Sequence, residues 1–158
     1  MDNDNDDISF ELTGHIELDE ADIRSFEKLV RSVLRTASAD KTHVSVAITD
    51  DEGITQVHER FLNSSDTTDV ISFDLSDDDD DCRTFDIVVN YDQAKRQAEI
   101  RGHGVIAELA LYITHGMLHN LGYDDIEEDD AKIMHEKEDE ILSDAGFGKI
   151  FGGKDFKN

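Results

Sequence analysis

The chain has no proline, a single cysteine, and only 15 lysines and arginines against 39 aspartates and glutamates. Each shortage narrows what the protein can be. Cys82 has no second cysteine to pair with, so the fold must hold without disulfides, and no disulfide-linked partner is expected. No stretch approaches the roughly 18 consecutive apolar residues of a membrane-spanning helix, so no membrane partner is expected either. The opening residues lack a cationic segment followed by an apolar one, and with a lone thiol this points to a cytoplasmic protein in a reducing compartment. The missing proline has no evident physical reason in the composition.

The formal net charge is −24. Such a charge repels a phosphate backbone unless a local basic surface or bound cations reverse the field, so composition gives no reason to expect nucleic acid. A large acid excess does keep a protein soluble in salty surroundings, where the Debye length falls to about 3 Å near 1 M. Adaptation to salt is the simpler reading of the charge.

A length of 158 residues suits one compact domain, burying roughly two thirds of the surface its unfolded form would expose. Residues 1–7 are nearly all Asp and Asn and are expected to form a disordered acidic tail. One folded domain is expected over 8–146, followed by a flexible C-terminal tail over 147–158.

Within the domain, Ile8, Phe10 and Leu12 alternate with polar residues as a half-buried strand requires. Asp19 then predicts an N-cap for a helix burying Ile23, Phe26, Leu29, Val30, Val33 and Leu34. The unit repeats: Val44, Val46 and Ile48 alternate, and Asp50-Asp51 precedes a helical spacing of Ile54, Val57 and Phe61. Asp69 to Phe73 and Phe85 to Asn90 read as two further strands, separated by the five aspartates Asp77 to Asp81, whose mutual repulsion demands a solvated loop. Helical patterns follow from Asp92, from Val105 to Leu121, and from Glu128 to Ala145, the last carrying Ile133, Met134, Ile141 and Leu142 to the core. Gly122 stands where a helix stop is needed. The order β-α-β-α-β-β-α-α-α predicts the α+β class, a single small mixed sheet of about four strands packed with about five helices.

The chemistry concentrates in His115-Gly116-Met117-Leu118-His119-Asn120-Leu121-Gly122-Tyr123-Asp124-Asp125. Residues four apart share a helix face, so His115 and His119 can present two imidazole nitrogens to one ion. Gly122 ends the helix and lets the chain double back, so that Asp124 or Asp125 can bring a carboxylate over the same face. Three protein ligands with an open position are the arrangement of a catalytic metal. A bare pair of histidines at this spacing is weak by itself; the apolar helix, its stop and the following acids strengthen it. Gly116 occupies the place where a zinc peptidase carries its catalytic glutamate, which argues against a protease of that type. His135 on the last helix is a rival third ligand. His15, His43, His58 and His103 have no partners at ligand spacing and read as structural or surface residues.

The same stretch resembles the H-G-x-L-H-L-x-G-Y-D-H signature of the YbeY-like endoribonucleases. Thr68 to Phe73, Phe85 to Asn90 and Glu108-Leu109-Ala110 are similar to three further segments of that family, and the glutamate-rich Ile126 to Leu142 resembles its closing helix. The resemblance implies a metal-dependent, single-strand-specific endoribonuclease acting in rRNA maturation, at the 3′ end of 16S rRNA, and in ribosome quality control. RNA and ribosomal components are the implied partners, and zinc is the implied cofactor. The resemblance assigns His115, His119 and Asp125 to the metal. Asp125 stands where the family has its third histidine, and this harder ligand admits manganese or iron beside zinc. The family's arginine before the T-D/N-V-L-S-F strand aligns with Leu62, with Arg60 nearby.

Asp124 has two candidate roles, as an acceptor that orients a ligand histidine or as a proton acceptor for the attacking water. Arg60, Lys95 and Arg96, with Arg101, are the candidate cations for RNA, though for Lys95, Arg96 and Arg101 taken singly the ordinary solvent face of a helix is the favoured reading. Two other classes of function fit the same ligands. One is a ribosome-assembly binding module whose metal only holds the fold. The other is a metal hydrolase of small phosphoesters or amides, which an acidic surface around the site would favour.

Overall fold

A computed structural model describes residues 8–14, 16, 18–37, 41–63, 67–76 and 82–147. The expected tail over 1–7, the five aspartates, His15 and residues 148–158 lie outside them. The elements are β1 (Ile8–Gly14), α1 (Glu20–Thr36), β2 (Thr42–Thr49), α2 (Asp51–Leu62), β3 (Val70–Asp74), β4 (Arg83–Asn90), α3 (Tyr91–Arg101), α4 (Val105–Asn120) and α5 (Glu128–Asp144). This is the α+β architecture and the element order read from the sequence.

The sheet runs β1-β2-β4-β3. β1, β2 and β4 are parallel, with Phe10 opposite Val44 and Val46 opposite Ile87, while β3 is an antiparallel edge with Ile71 opposite Val88. Alternation sends Val44, Val46, Ile48, Phe85, Ile87 and Val89 to one buried face. The helix faces that join this core follow from their spacing: Phe26, Leu29, Val30, Val33 and Leu34 of α1 recur at three and four residues and are all buried. Asp19 caps α1 by accepting from the Asp22 N–H at 2.8 Å, and Asp50 caps α2 by accepting from Gly53 N–H at 2.8 Å.

Three apolar residues expected in the core are not there. Ile23 lies at its rim (36% exposed), and Phe61 and Ile133 are 61% and 54% exposed. Ile23 sits in the first turn of α1, where it lines an open hollow with Leu12 of β1 and Ile48 of β2. Among the described residues Phe61 has the edge of Phe73 as its aromatic neighbour, at 5.6 Å between ring centroids. Ile133 falls one position off the α5 stripe of Met134, Glu138, Ile141 and Leu142, all of them buried. In turn Phe147, assigned above to the tail, stacks on Phe26 at 6.2 Å.

The central helix is α4, buried from Glu108 to Thr114 and again from Gly116 to Leu118. Gly116 governs its approach to the sheet: a Cβ there would meet methyls of Ile87 and Val70 at 3.2 Å and the Ser72 Cβ at 3.3 Å. A glutamate of the zinc-peptidase kind has no room at this position. Close contact at Gly116 sets the neighbouring His115 and His119 beside β3.

Candidate metal centre

His115 and His119 project from the last two turns of α4, their rings edge to face with centroids 4.6 Å apart. The turn after them is a complete Schellman stop. Gly122 N–H donates to the His119 carbonyl at 3.1 Å, Tyr123 N–H donates to the Leu118 carbonyl at 2.9 Å, and Gly122 has φ +106°. This reversal brings Asp125 back over the helix face. Its Oδ2 lies 3.4 Å from His115 Nε2 and its Oδ1 lies 3.6 Å from His119 Nε2, while the two Nε2 atoms are 3.1 Å apart.

These separations test the fit of a metal directly. Ligand bonds of about 2.0–2.1 Å in tetrahedral geometry put neighbouring ligand atoms roughly 3.4 Å apart. The three observed separations bracket that length, with a different Asp125 oxygen facing each histidine, and one ligand atom from each residue lies within 4.8 Å of the others. The cluster could hold a metal ion. The side chains of His115, His119 and Asp125 are 22%, 33% and 37% exposed, so the cluster opens to solvent on one side.

Behind His115 stands a group that the sequence reading missed. Glu138 of α5 is fully buried and its Oε2 accepts from His115 Nδ1 at 2.6 Å. That bond places the proton on Nδ1 and leaves the Nε2 lone pair facing the cluster, as a carboxylate behind a ligand histidine does. Burial alone would lower the His115 pKa, but the Glu138 hydrogen bond and charge, with Asp125 and Asp69, carry it above its ordinary value. Burial likewise pushes the Glu138 carboxyl up, and the bonds from His115 and His135 overcome it and hold it below the usual range.

The other named residues fall in different places. Asp124 Oδ1 accepts from the Ile126 N–H at 3.1 Å, and the contact that orients His115 is made by Glu138. His135 lies outside the trio, its Nδ1 3.1 Å from Glu138 Oε1. Arg96 is committed to Asp51 through two bonds of 2.9 Å. The pairing with Arg96 and a second bond from Asn90 draw the Asp51 pKa down to about 2. Lys95 lies 3.7 Å from Asp92 and over the Tyr91 ring. Arg101 and His103 both bind the buried Glu108, at 2.8 and 2.5 Å. Arg60 lines a surface hollow on α2 with Gln56 and Phe61, a hollow that includes none of the trio. Among these cations Arg96 and Arg101 are thus held by acids of the protein itself.

An α+β scaffold with two helix-borne imidazoles and a carboxylate facing solvent defines a candidate metalloenzyme. The family described as Endoribonuclease YbeY matches residues 11–146. Proteins named Endoribonuclease YbeY are similar to this chain: that of Carboxydothermus hydrogenoformans is 41% identical over 103 residues, covering 65% of this chain and 72% of its own. That of Lysinibacillus sphaericus is 35% identical over 134 residues, covering 78% and 85%. That of Shouchella clausii is 35% identical over 150 residues, covering 83% and 94%. The solution structure of TM1509 from Thermotoga maritima has the same fold, with a TM-score of 0.62 at 22% identity over 86% of this chain and 88% of that one. The chain belongs to the YbeY endoribonuclease family.

Proposed function

We propose that this protein is a metal-dependent endoribonuclease cutting single-stranded RNA, with His115, His119 and Asp125 as the ligands of one divalent transition metal. The observation that carries the proposal is the trio's spacing of 3.1, 3.4 and 3.6 Å beside an open face. Two imidazoles and a carboxylate suit zinc, and the carboxylate also admits manganese or iron. Such an ion supplies a Lewis acid for the phosphodiester and makes the attacking water more acidic.

The chain's own groups do the rest. Glu138 holds the His115 ring in the tautomer a ligand needs. Asp124, exposed beside the trio with one oxygen held by the Ile126 N–H, is the candidate proton acceptor. Arg60 and Lys95 are the candidate phosphate contacts, whereas Arg96 must first release Asp51. Residues 8–146 form the single metal-hydrolase domain in this reading. The names of the relatives support RNA as the substrate. A role in the cytoplasm in rRNA maturation at the 3′ end of 16S rRNA, and in ribosome quality control with ribosomal components, rests on family membership.

The test is metal content together with cleavage of a single-stranded RNA oligonucleotide, for wild type, His119→Ala and Asp125→Ala. About one equivalent of transition metal in wild type, lost with cleavage in both variants while the fold survives, is expected. A wild type that takes up no metal after reconstitution overturns the proposal. Unfolding of His119→Ala by circular dichroism favours a metal that only holds the fold.

One observation favours a second reading, hydrolysis of a small phosphoester or amide: six of the seven residues from Asp124 to Asp130 are acidic and exposed. Screening separates the two readings, because the Debye length shrinks from about 10 Å at 0.1 M salt to about 3 Å at 1 M. RNA cleavage that rises with salt supports the nuclease. Turnover of bis(p-nitrophenyl) phosphate with no RNA cleavage at either salt supports the small ester.

A further inference from the structure

The buried carboxylate of Glu138 serves two histidines, one on each oxygen. Oε2 accepts from His115 Nδ1 at 2.6 Å, and Oε1 accepts from His135 Nδ1 at 3.1 Å. His135 lies three residues before Glu138 on α5, and its side chain is 40% exposed. The four side chains form a row from Asp125 through His115 and Glu138 to His135, entering the protein at the trio and leaving it one turn along α5.

The row has a mechanical consequence. The terminal torsion of a glutamate is broad and roughly two-fold, so a carboxylate held by one donor keeps the freedom to turn its plane. A second donor on the other oxygen removes that freedom. The His115 ring is then fixed as well, because its Nδ1–H must follow the oxygen it donates to. We infer that His135 is a positioning residue of the metal site, acting through the Glu138 carboxylate to hold His115 Nε2 on its ligand vector. The inference rests on the trio binding a metal. It gives His135 a place in the site without making it a ligand, its Nδ1 being spent on Glu138.

The choice of variants separates this role from plain packing. In His135→Asn the amide nitrogen can take the place of Nδ1 and still donate, whereas His135→Leu keeps bulk and loses the donor. Cobalt(II) titration of the purified full chain, with a chromogenic chelator competing, reads the dissociation constant, and the visible cobalt bands report the ligand geometry.

His135→Leu should weaken cobalt about tenfold and alter its bands, the scale of losing a group that supports a ligand. His135→Asn should return both close to wild type, with the metal-free melting temperature nearly the same in all three proteins. Wild-type affinity in His135→Leu overturns the inference, and so does equal weakening in both variants, which would show that restoring the donated hydrogen bond does not restore the site. If wild type itself takes up no cobalt, the metal reading fails first and this inference falls with it.

Discussion

The two ends of α4 carry the same device put to different ends. At its start Glu108 is fully buried and bound by Arg101 and His103; at its finish lie His115 and His119, with the fully buried Glu138 behind them bound by His115 and His135. Around Glu108 the partners are a guanidinium and an imidazole from the corner between α3 and α4, and both carboxylate oxygens are used within the protein. Around Glu138 one partner passes on: His115 uses Nδ1 for the carboxylate and directs Nε2 to an exposed cluster. A buried acid whose two oxygens are both taken by donors from its own corner is a clamp. A buried acid behind an imidazole whose other nitrogen faces solvent is a mount for chemistry.

The largest effect should come from breaking the clamp. Glu108→Ala leaves Arg101 and His103 facing an emptied pocket, and loss of one partner of a buried ion pair costs about 3–5 kcal/mol. Denaturant unfolding of the metal-free protein reads this directly, and a loss below about 1 kcal/mol would show that the corner tolerates the change. Metal stoichiometry per folded molecule should not move.

Gly116→Ala attacks the site end through packing. The added methyl meets two β-branched methyls and a strand Cβ at 3.2–3.3 Å, none on a flexible side chain, so overpacking of about 1–3 kcal/mol is expected. Because the shift falls between His115 and the sheet, cobalt affinity should drop too. Unchanged affinity with reduced stability would mean that the site is insulated from the sheet.

Gly122→Ala sharpens the contrast. Among the described residues the new Cβ meets nothing within 4 Å, so the cost is that of φ +106°, about 1–2 kcal/mol. The penalty should fall on the turn that returns Asp125, so metal loading should suffer while the Glu108 corner keeps its hydrogen-exchange protection.

The smallest effect is expected from the ion pair of Asp51 and Arg96, side chains 38% and 49% exposed. Asp51 has its pKa lowered from an ordinary 3.8 to about 2, chiefly by the Arg96 bond. Its stabilisation is therefore present above about pH 4 and is lost as pH falls towards 2, and at this exposure it is worth under about 1 kcal/mol. The stability gap between wild type and Asp51→Asn should close over that range. A gap that persists to pH 2 would assign the effect to something other than the charge.

Much of this arrangement could be read along the chain. The caps at Asp19 and Asp50, the stop at Gly122 and the helical spacing of His115 and His119 are local, and local geometry depends on residues a few positions apart. Glu138 went unread because it sits in α5 among many acids, although one signal was there. It occupies the stripe of Met134, Ile141 and Leu142, where a carboxylate without a partner would be prohibitively costly. The pairing of Arg96 went unread for a related reason: it finds Asp51 45 residues away, and no periodicity announces such a pair.

The sequence by itself determined the element order, the mixed small sheet, the faces that pack and the two histidines at one helix end, since all of these follow from periods of two and 3.6 and from turn chemistry. Only the tertiary structure decided that α5 returns against α4 to put Glu138 behind His115, 23 residues away, and that Arg96 and Arg101 are taken up by acids of the protein. Packing makes those choices because a buried charge takes its partner from whatever elements the core brings together, regardless of their distance along the chain.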